Sequence, residues 1–202
     1  MSSKYMMMFD LDGTVTACET LPLIAANLGV ENEISALTAK TVRGDVPFVE
    51  GFITRVNILK EYSVERIADI VATAPLHGAI VNYIRRHKDN CLLVTGNLDC
   101  WITKLASKVG CACVASMTLC SDDRVQKILR IVDKSDVVRE YQEKGFCVVF
   151  VGEGNNDAEA IRSADIGIAF GKVHWPSPSA MQFATHAIFD EDELCRFLRQ
   201  LS

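Results

Sequence analysis

The sequence has no apolar run approaching the roughly 18 residues that a bilayer-spanning helix requires. Basic stripes are missing too. Its 21 Lys and Arg are scattered among 26 Asp and Glu, for a formal net charge of −5, which speaks against nucleic acid or a membrane surface as the main partner. Eight cysteines form no CxxC pair, and the tightest spacing is Cys111-x-Cys113, so neither a zinc ribbon nor a redox motif is indicated. Several of them fall inside apolar runs such as CLLV and CVVFV, where a free thiol behaves as a small hydrophobe. His77, His87, His174 and His186 are dispersed without ligand spacing. Near the N-terminus, Asp10 and Asp12 interrupt anything resembling a signal-peptide apolar region. The expectation from these absences is a cytoplasmic globular protein with buried structural thiols.

The chain has 202 residues, 49% of them hydrophobic and 23% charged, enough to bury a sizeable core without disulfides or structural metals. Apolar runs of strand length recur at residues 5–9, 91–94, 111–115, 147–151 and 166–170. Between most of them lie amphipathic stretches of helix length, at residues 78–87, 99–109, 135–143 and 157–164. Near-continuous apolar strands alternating with helices imply a parallel sheet covered on both faces. The fold class is therefore α/β, a doubly wound, mainly parallel sheet forming a Rossmann-like core.

Residues 16–75 break the alternation. They carry no convincing strand pattern and read as helices near residues 19–28, 31–42, 47–62 and 64–73, punctuated by Asn27-Leu28-Gly29, Arg43-Gly44 and Ser63. The expected organisation is a core of residues 1–15 and 76–202, with residues 16–75 inserted after the first strand as a small helical cap domain packed closely on it.

In such a sheet, ligands bind beyond the carboxyl ends of the strands, near the switch point. Asp10, Asp12, Gly13 and Thr14 follow the first strand; Thr95, Gly96 and Asn97 follow the second; the run Gly152-Glu153-Gly154-Asn155-Asn156-Asp157 follows the fourth. Carboxylates this concentrated repel one another unless a cation or a proton shares the site, and their hard oxygen atoms favour Mg2+. The DLDGT stretch is not an EF-hand loop, because its glycine comes too early and no Glu follows at the required distance. No GxGxxG follows the first strand, so a dinucleotide fingerprint is also excluded.

Taken in order, these motifs resemble those of the haloacid dehalogenase superfamily of phosphohydrolases, and of its phosphoserine phosphatase-like branch in particular. The resemblance covers nearly the whole chain. It implies that Asp10 is a nucleophile that forms an aspartyl-phosphate, and that Asp12 protonates the leaving alcohol and then activates water. It implies a Mg2+ shell drawn from Asp10, the backbone carbonyl of Asp12, Glu153 and Asp157. Thr95 and the backbone N–H of Gly96 would hold phosphate oxygens, with Asn97 and Asn156 also facing the substrate. Lys134 matches the lysine that compensates the crowded negative charge, with Lys127 as the alternative. Two departures stand out: Glu153 occupies a position usually held by Asp, and Thr95-Gly96-Asn97 replaces Ser-Gly-Gly.

Two cap residues fit the same branch. Glu19, nine residues after Asp10, corresponds to a carboxylate facing the substrate amine; an acid favoured at a helix N-terminus is the other reading. Arg55 lies in RGDVPFVEGFITRV, which resembles the segment that supplies an arginine for the substrate carboxylate. Phe48, Phe52, Arg55 and Leu59 fall at spacings of four, three and four, so Arg55 interrupts an apolar helical stripe. A guanidinium there needs a partner, unless it snorkels to solvent. Phe48 fits either beside the substrate or in plain core. The expected partner is a small phosphorylated metabolite, with L-phosphoserine leading over a phosphorylated amino alcohol or a homoserine-like ester, and the expected assembly is a monomer or homodimer. Two readings from other classes are a phosphoacceptor switch and a silent binding module in which Glu153 has spoiled the metal site.

Overall fold

The computed structural model describes residues 4–42 and 46–201, and only the backbone of residues 39, 41, 42 and 48. The expected break at Arg43-Gly44 therefore lies outside the described residues. The chain opens with β1 (Lys4–Phe9) and continues through α1 (Thr20–Leu28), α2 (Glu31–Val42), α3 (Phe48–Leu59), α4 (Val64–Val71) and α5 (Gly78–Arg86). Then come β2 (Cys91–Leu98), α6 (Asp99–Val109), β3 (Ala112–Ser121), β4 (Arg124–Arg130), α7 (Lys134–Glu143) and β5 (Phe146–Gly152). The remainder is α8 (Ala158–Ser163), β6 (Ile166–Phe170), α9 (Pro178–Phe183), β7 (His186–Ile188) and α10 (Glu191–Leu201).

The seven strands lie in the order β4-β3-β2-β1-β5-β6-β7. All neighbours are parallel except β3 and β4. The chain runs outward from β1 through β2, β3 and β4, then returns to β1's other side as β5, so the switch point falls between β1 and β5. Phe9 pairs with Leu93 on one side and Val151 on the other, which brings the loops after β1 and β5 together.

Side chains alternate across β1, as the two-residue period of a strand demands. Met6 and Met8 pack with Leu92, Val148 and Phe150 against Val137 and Val138 of α7 and Ile161 of α8. Met7 and Phe9 face the other way, toward Ile80 and Ile84 of α5, Trp101 and Leu105 of α6 and Leu198 of α10. This second cluster continues into the helical insert through Ile24, Ile34, Phe52, Val56, Leu59 and Ile67. Gly29, at φ +75°, ends α1 in the left-handed conformation that closes many helices.

Three elements differ from the sequence expectation. The third strand continues past residue 115 to Ser121 and returns as β4, through a two-residue turn in which Asp122 and Asp123 both have positive φ (51° and 57°). Such a turn usually announces itself with Asn-Gly or Asp-Gly, and neither is present. Asp123 then accepts the Glu65 N–H at 2.9 Å and the Ser63 hydroxyl, tying the hairpin tip to the start of α4. Strand β7 has three residues, too few for a periodicity signal. Finally, Thr95–Asn97 lie inside β2 as a bulge rather than beyond it. Val94 pairs with Val114 and Leu98 with Ser116, so β2 has three residues where β3 has one.

The eight cysteines are free, with Cys91 and Cys195 buried and Cys120 exposed on the hairpin. Burial pushes the Cys91 thiol up to about 12, which keeps it protonated and unreactive. Among the described residues, no helix is long and apolar enough to cross a membrane.

Candidate active site

Asp10 is the first residue beyond β1, its N–H donating to the Val151 carbonyl at 2.9 Å, and only 5% of its surface is exposed. Lys134 reaches it from the first turn of α7, a helix capped by Asp133 through the Ser135 and Asp136 N–H groups. The Lys134 ammonium lies 2.5 Å from Asp10 Oδ1 and 2.6 Å from Asp157 Oδ1, with all three residues buried. Asp157 Oδ2 in turn accepts the N–H groups of Glu153 and Gly154 at 3.0 and 2.8 Å. Burial works against the Lys134 charge, but the two carboxylates outweigh it and hold the ammonium above its ordinary value. Asp10 is pushed well above the usual carboxylate range by burial and the Asp157 charge, against the opposing pull of Lys134. Lys127 is exposed on β4, away from the buried Asp10–Lys134–Asp157 cluster.

Asp12 sits in the turn that follows. Its Oδ1 accepts the Thr20 N–H at 2.7 Å and also the Thr20 hydroxyl. Gly13 has φ +70°, and a Cβ there would come within 2.3 Å of Glu153 Oε1, so only glycine lets the Glu153 carboxylate lie against this turn. Glu153 is 7% exposed, and its Oε2 is buried without a hydrogen-bond partner. Burial, then the charges of Glu19, Asp10, Asp157 and Asp12, push Glu153 up to about 9.

On β2, Thr95 is buried and its Oγ1 accepts the Asn97 N–H at 3.1 Å. The Gly96 carbonyl is anchored by the Ser116 hydroxyl at 2.7 Å. The Asn97 amide is engaged on both sides, donating to Thr20 Oγ1 at 2.7 Å and accepting the Leu98 N–H at 2.8 Å. Asn156 is half-buried in the turn before α8.

From the insert, Glu19 stands at the N-cap of α1, and its side chain makes no capping hydrogen bond. Burial and the Asp12 and Asp157 charges raise it to about 7. Arg55 is 6% exposed, its Nε donating to the Gly51 carbonyl at 3.0 Å and its Nη1 to Thr38 Oγ1 at 3.3 Å. The guanidinium does not snorkel. Burial lowers its pKa, while the charges of Glu19 and Asp12 act to raise it. The Phe48 side chain lies outside the described residues.

Two contributors carried no sequence signal of their own. Thr20 bonds to Asp12 across eight residues. His174, in the loop after β6, brings Nε2 to 3.6 Å from Glu19 Oε1, and Glu19, Glu153 and His174 each offer a ligand atom within 4.8 Å of the other two. The same loop braces the Glu153 backbone, Ser177 donating to the Glu153 carbonyl at 2.8 Å. Position at the carboxyl edge of the sheet was the available clue for His174; ligand spacing along the chain was not.

Negative charge is concentrated at this edge of the sheet. Burial, with the Asp12 and Asp157 charges, raises Asp10, Glu19 and Glu153, and Lys134 opposes this at Asp10 and Glu19. The orphaned Glu153 oxygen and this all-oxygen donor set fit a hard divalent cation, which would replace the protons that burial otherwise keeps there.

A family model described as haloacid dehalogenase-like hydrolase matches residues 7–165. Among curated relatives, a phosphoserine phosphatase of Archaeoglobus fulgidus is 29% identical over 180 residues, covering 83% of this chain and 52% of the relative. A phosphoserine phosphatase of Methanocaldococcus jannaschii is 25% identical over 180 residues, covering 83% and 85%. The chain spans about half the length of the Archaeoglobus fulgidus relative and 44% of one from Mycobacterium tuberculosis. In fold, it superimposes on a substrate-bound phosphoserine phosphatase complex with a TM-score of 0.82 at 22% identity, over the whole of both chains. A phospho-aspartyl intermediate analogue of phosphoserine phosphatase gives 0.81 at 23% identity, over 96% and 99%.

Proposed function

The chain belongs to the haloacid dehalogenase-like hydrolases, and from that premise we propose that it is a Mg2+-dependent phosphomonoester hydrolase working through Asp10, with L-phosphoserine as its substrate. The observation that carries this reading is the buried Asp10–Lys134–Asp157 clamp at the switch point, with Asp12 two residues away. Lys134 on Asp10 Oδ1 fixes the rotation of that carboxylate, so that a phosphoryl group can be approached in line. Asp10 attacks phosphorus and the ester P–O bond breaks; its electron pair leaves with the alcohol oxygen, which takes a proton from Asp12. Water then attacks the phosphorus of the aspartyl-phosphate and gives its proton to Asp12 as the Asp10–P bond breaks, which releases phosphate and restores both residues.

Asp10, the Asp12 carbonyl, Glu153 and Asp157 would hold Mg2+, which when bound supplies positive charge for the phosphoryl oxygens and relieves the carboxylate repulsion. Thr95 and Gly96, on the β2 bulge, supply the remaining phosphate donors. Residues 16–75 act in this reading as the cap that reads the rest of the substrate: Glu19 takes the ammonium, and Arg55 the carboxylate in a charge-assisted pair.

The test is phosphate release with Mg2+ from L-phosphoserine, phosphothreonine, phosphoethanolamine and p-nitrophenyl phosphate. Preference for phosphoserine is the expected result. Preference for phosphoethanolamine would move the substrate to an amino alcohol and remove Arg55 from recognition. Turnover of the aryl phosphate alone would keep the Asp10 chemistry and overturn the substrate assignment.

A further inference from the structure

Asp12 must release a proton in one step and take one up in the next, so its carboxylate has to present a defined oxygen. Asp12 Oδ1 accepts two donors from Thr20, the N–H at 2.7 Å and the hydroxyl. Because the Thr20 hydroxyl has one proton, and gives it to Asp12, it must act as acceptor toward its other neighbour. That neighbour is Asn97, whose Nδ2 lies 2.7 Å from Thr20 Oγ1. The orientation of the Asn97 amide is fixed independently, since its Oδ1 accepts the Leu98 N–H at 2.8 Å. Thr20 and Asn97 are 0% and 4% exposed, so water does not compete for these bonds.

We propose that Thr20 and Asn97 are positioning residues that act through Asp12, the chain Asn97 amide to Thr20 hydroxyl to Asp12 Oδ1 leaving Oδ2 as the oxygen that carries the transferred proton. The inference rests on the reading of Asp12 as the acid and base of an Asp10-centred phosphatase. With the lone pairs of Oδ1 engaged by two donors, the carboxyl proton resides on Oδ2. From there it passes to the ester oxygen as the P–O bond breaks and the Asp10–P bond forms. In the second step the proton of the attacking water returns to Oδ2 as the Asp10–P bond breaks. The chain also spans three elements: the turn after β1, the first residue of α1, and the β2 bulge that holds Thr95 and Gly96. Glu19 immediately precedes Thr20, so the residue assigned to the substrate amine and the donor that aims the acid are adjacent on one helix start. Asn97 thereby has a physical role at a position where the related branch has glycine.

Leaving-group dependence separates this role from a merely structural one. Expulsion of an alkoxide needs its proton, whereas p-nitrophenolate leaves without much help. First-turnover release of the leaving group is measured for Thr20→Val, Asn97→Ala and Asp12→Asn, with phosphoserine and with p-nitrophenyl phosphate. Thr20→Val is expected to slow serine release about 10- to 100-fold, the range for losing a hydrogen bond to a charged group. Its effect on nitrophenol release should stay below about threefold, with little change in KM for either substrate, and Thr20→Ser should restore the serine rate. Asn97→Ala, on a different element, should show the same selectivity at smaller size, and carries the test should Thr20→Val fail to fold. Equal losses on both substrates, or no loss, would overturn the proposal. Selectivity in Asp12→Asn without selectivity in the other two would overturn the chain alone. Its absence in Asp12→Asn would overturn the underlying assignment of Asp12 as well.

Discussion

Lys134 and Arg55 are the two buried cations of the site, and they are held in different ways. Lys134 lies between two carboxylates, at 2.5 and 2.6 Å, supplied by the loops after β1 and β5. Arg55 is anchored by neutral acceptors on the insert, the Gly51 carbonyl and the Thr38 hydroxyl, and among the described residues it makes no ion pair. The Lys134 charge is therefore consumed within the protein, where it sets the geometry of Asp10. Among the described residues the Arg55 charge is oriented but unneutralised by contact, as the proposed pairing with a substrate carboxylate requires. In the proposed function, a floor of matched charges carries the reaction and a wall with an unmatched one carries specificity.

The sharpest way to break this comparison is at Lys134. Lys134→Met leaves Asp10 and Asp157 buried without their shared cation. The protein is expected to lose about 3–5 kcal/mol of stability, as buried pairs do when one partner is removed, and turnover of every phosphate ester with it. Denaturant unfolding and phosphate release report the two losses. Retained turnover would show that the clamp is not part of the chemistry. A smaller and selective effect is expected at the wall. Arg55→Lys keeps the charge but loses the planar fork and the Thr38 anchor. It should raise KM for phosphoserine roughly tenfold, about one good charged hydrogen bond, and leave p-nitrophenyl phosphate unmoved. A loss shared equally by both substrates would place Arg55 in the support of the insert rather than in recognition.

Much of the architecture was legible in the sequence because the responsible signals are local. The apolar run 5–9 followed by DLDGT marks the first strand and the loop beyond it, and the insert helices lie close to their expected positions, α1 and α4 among them. Ser63 and Gly29 supply the stop and start chemistry at the residue level. The β3–β4 hairpin was not legible, because Asp122 and Asp123 take left-handed backbone angles without a glycine to announce them. In the site, Asp10, Lys134, Glu153 and Asp157 converge as the order of strands requires. Thr20 and His174 did not show, since a hydroxyl becomes a donor to Asp12, and an imidazole a neighbour of Glu19, only after β1, α1 and the loop beyond β6 have packed. Spacing along the chain records periodicity within an element. It does not record which polar atoms meet between elements.

In the proposed reaction Asp10 carries the phosphoryl group between the two half-reactions. The most direct measurement is rapid-quench mass spectrometry of the protein during turnover of phosphoserine with Mg2+. The expected result is a species heavier by one phosphoryl group, with the modification on the peptide containing Asp10, and no such species in Asp10→Asn. Phosphate release without any phosphorylated Asp10 peptide, or an Asp10→Asn protein that turns over at the wild-type rate, would contradict it.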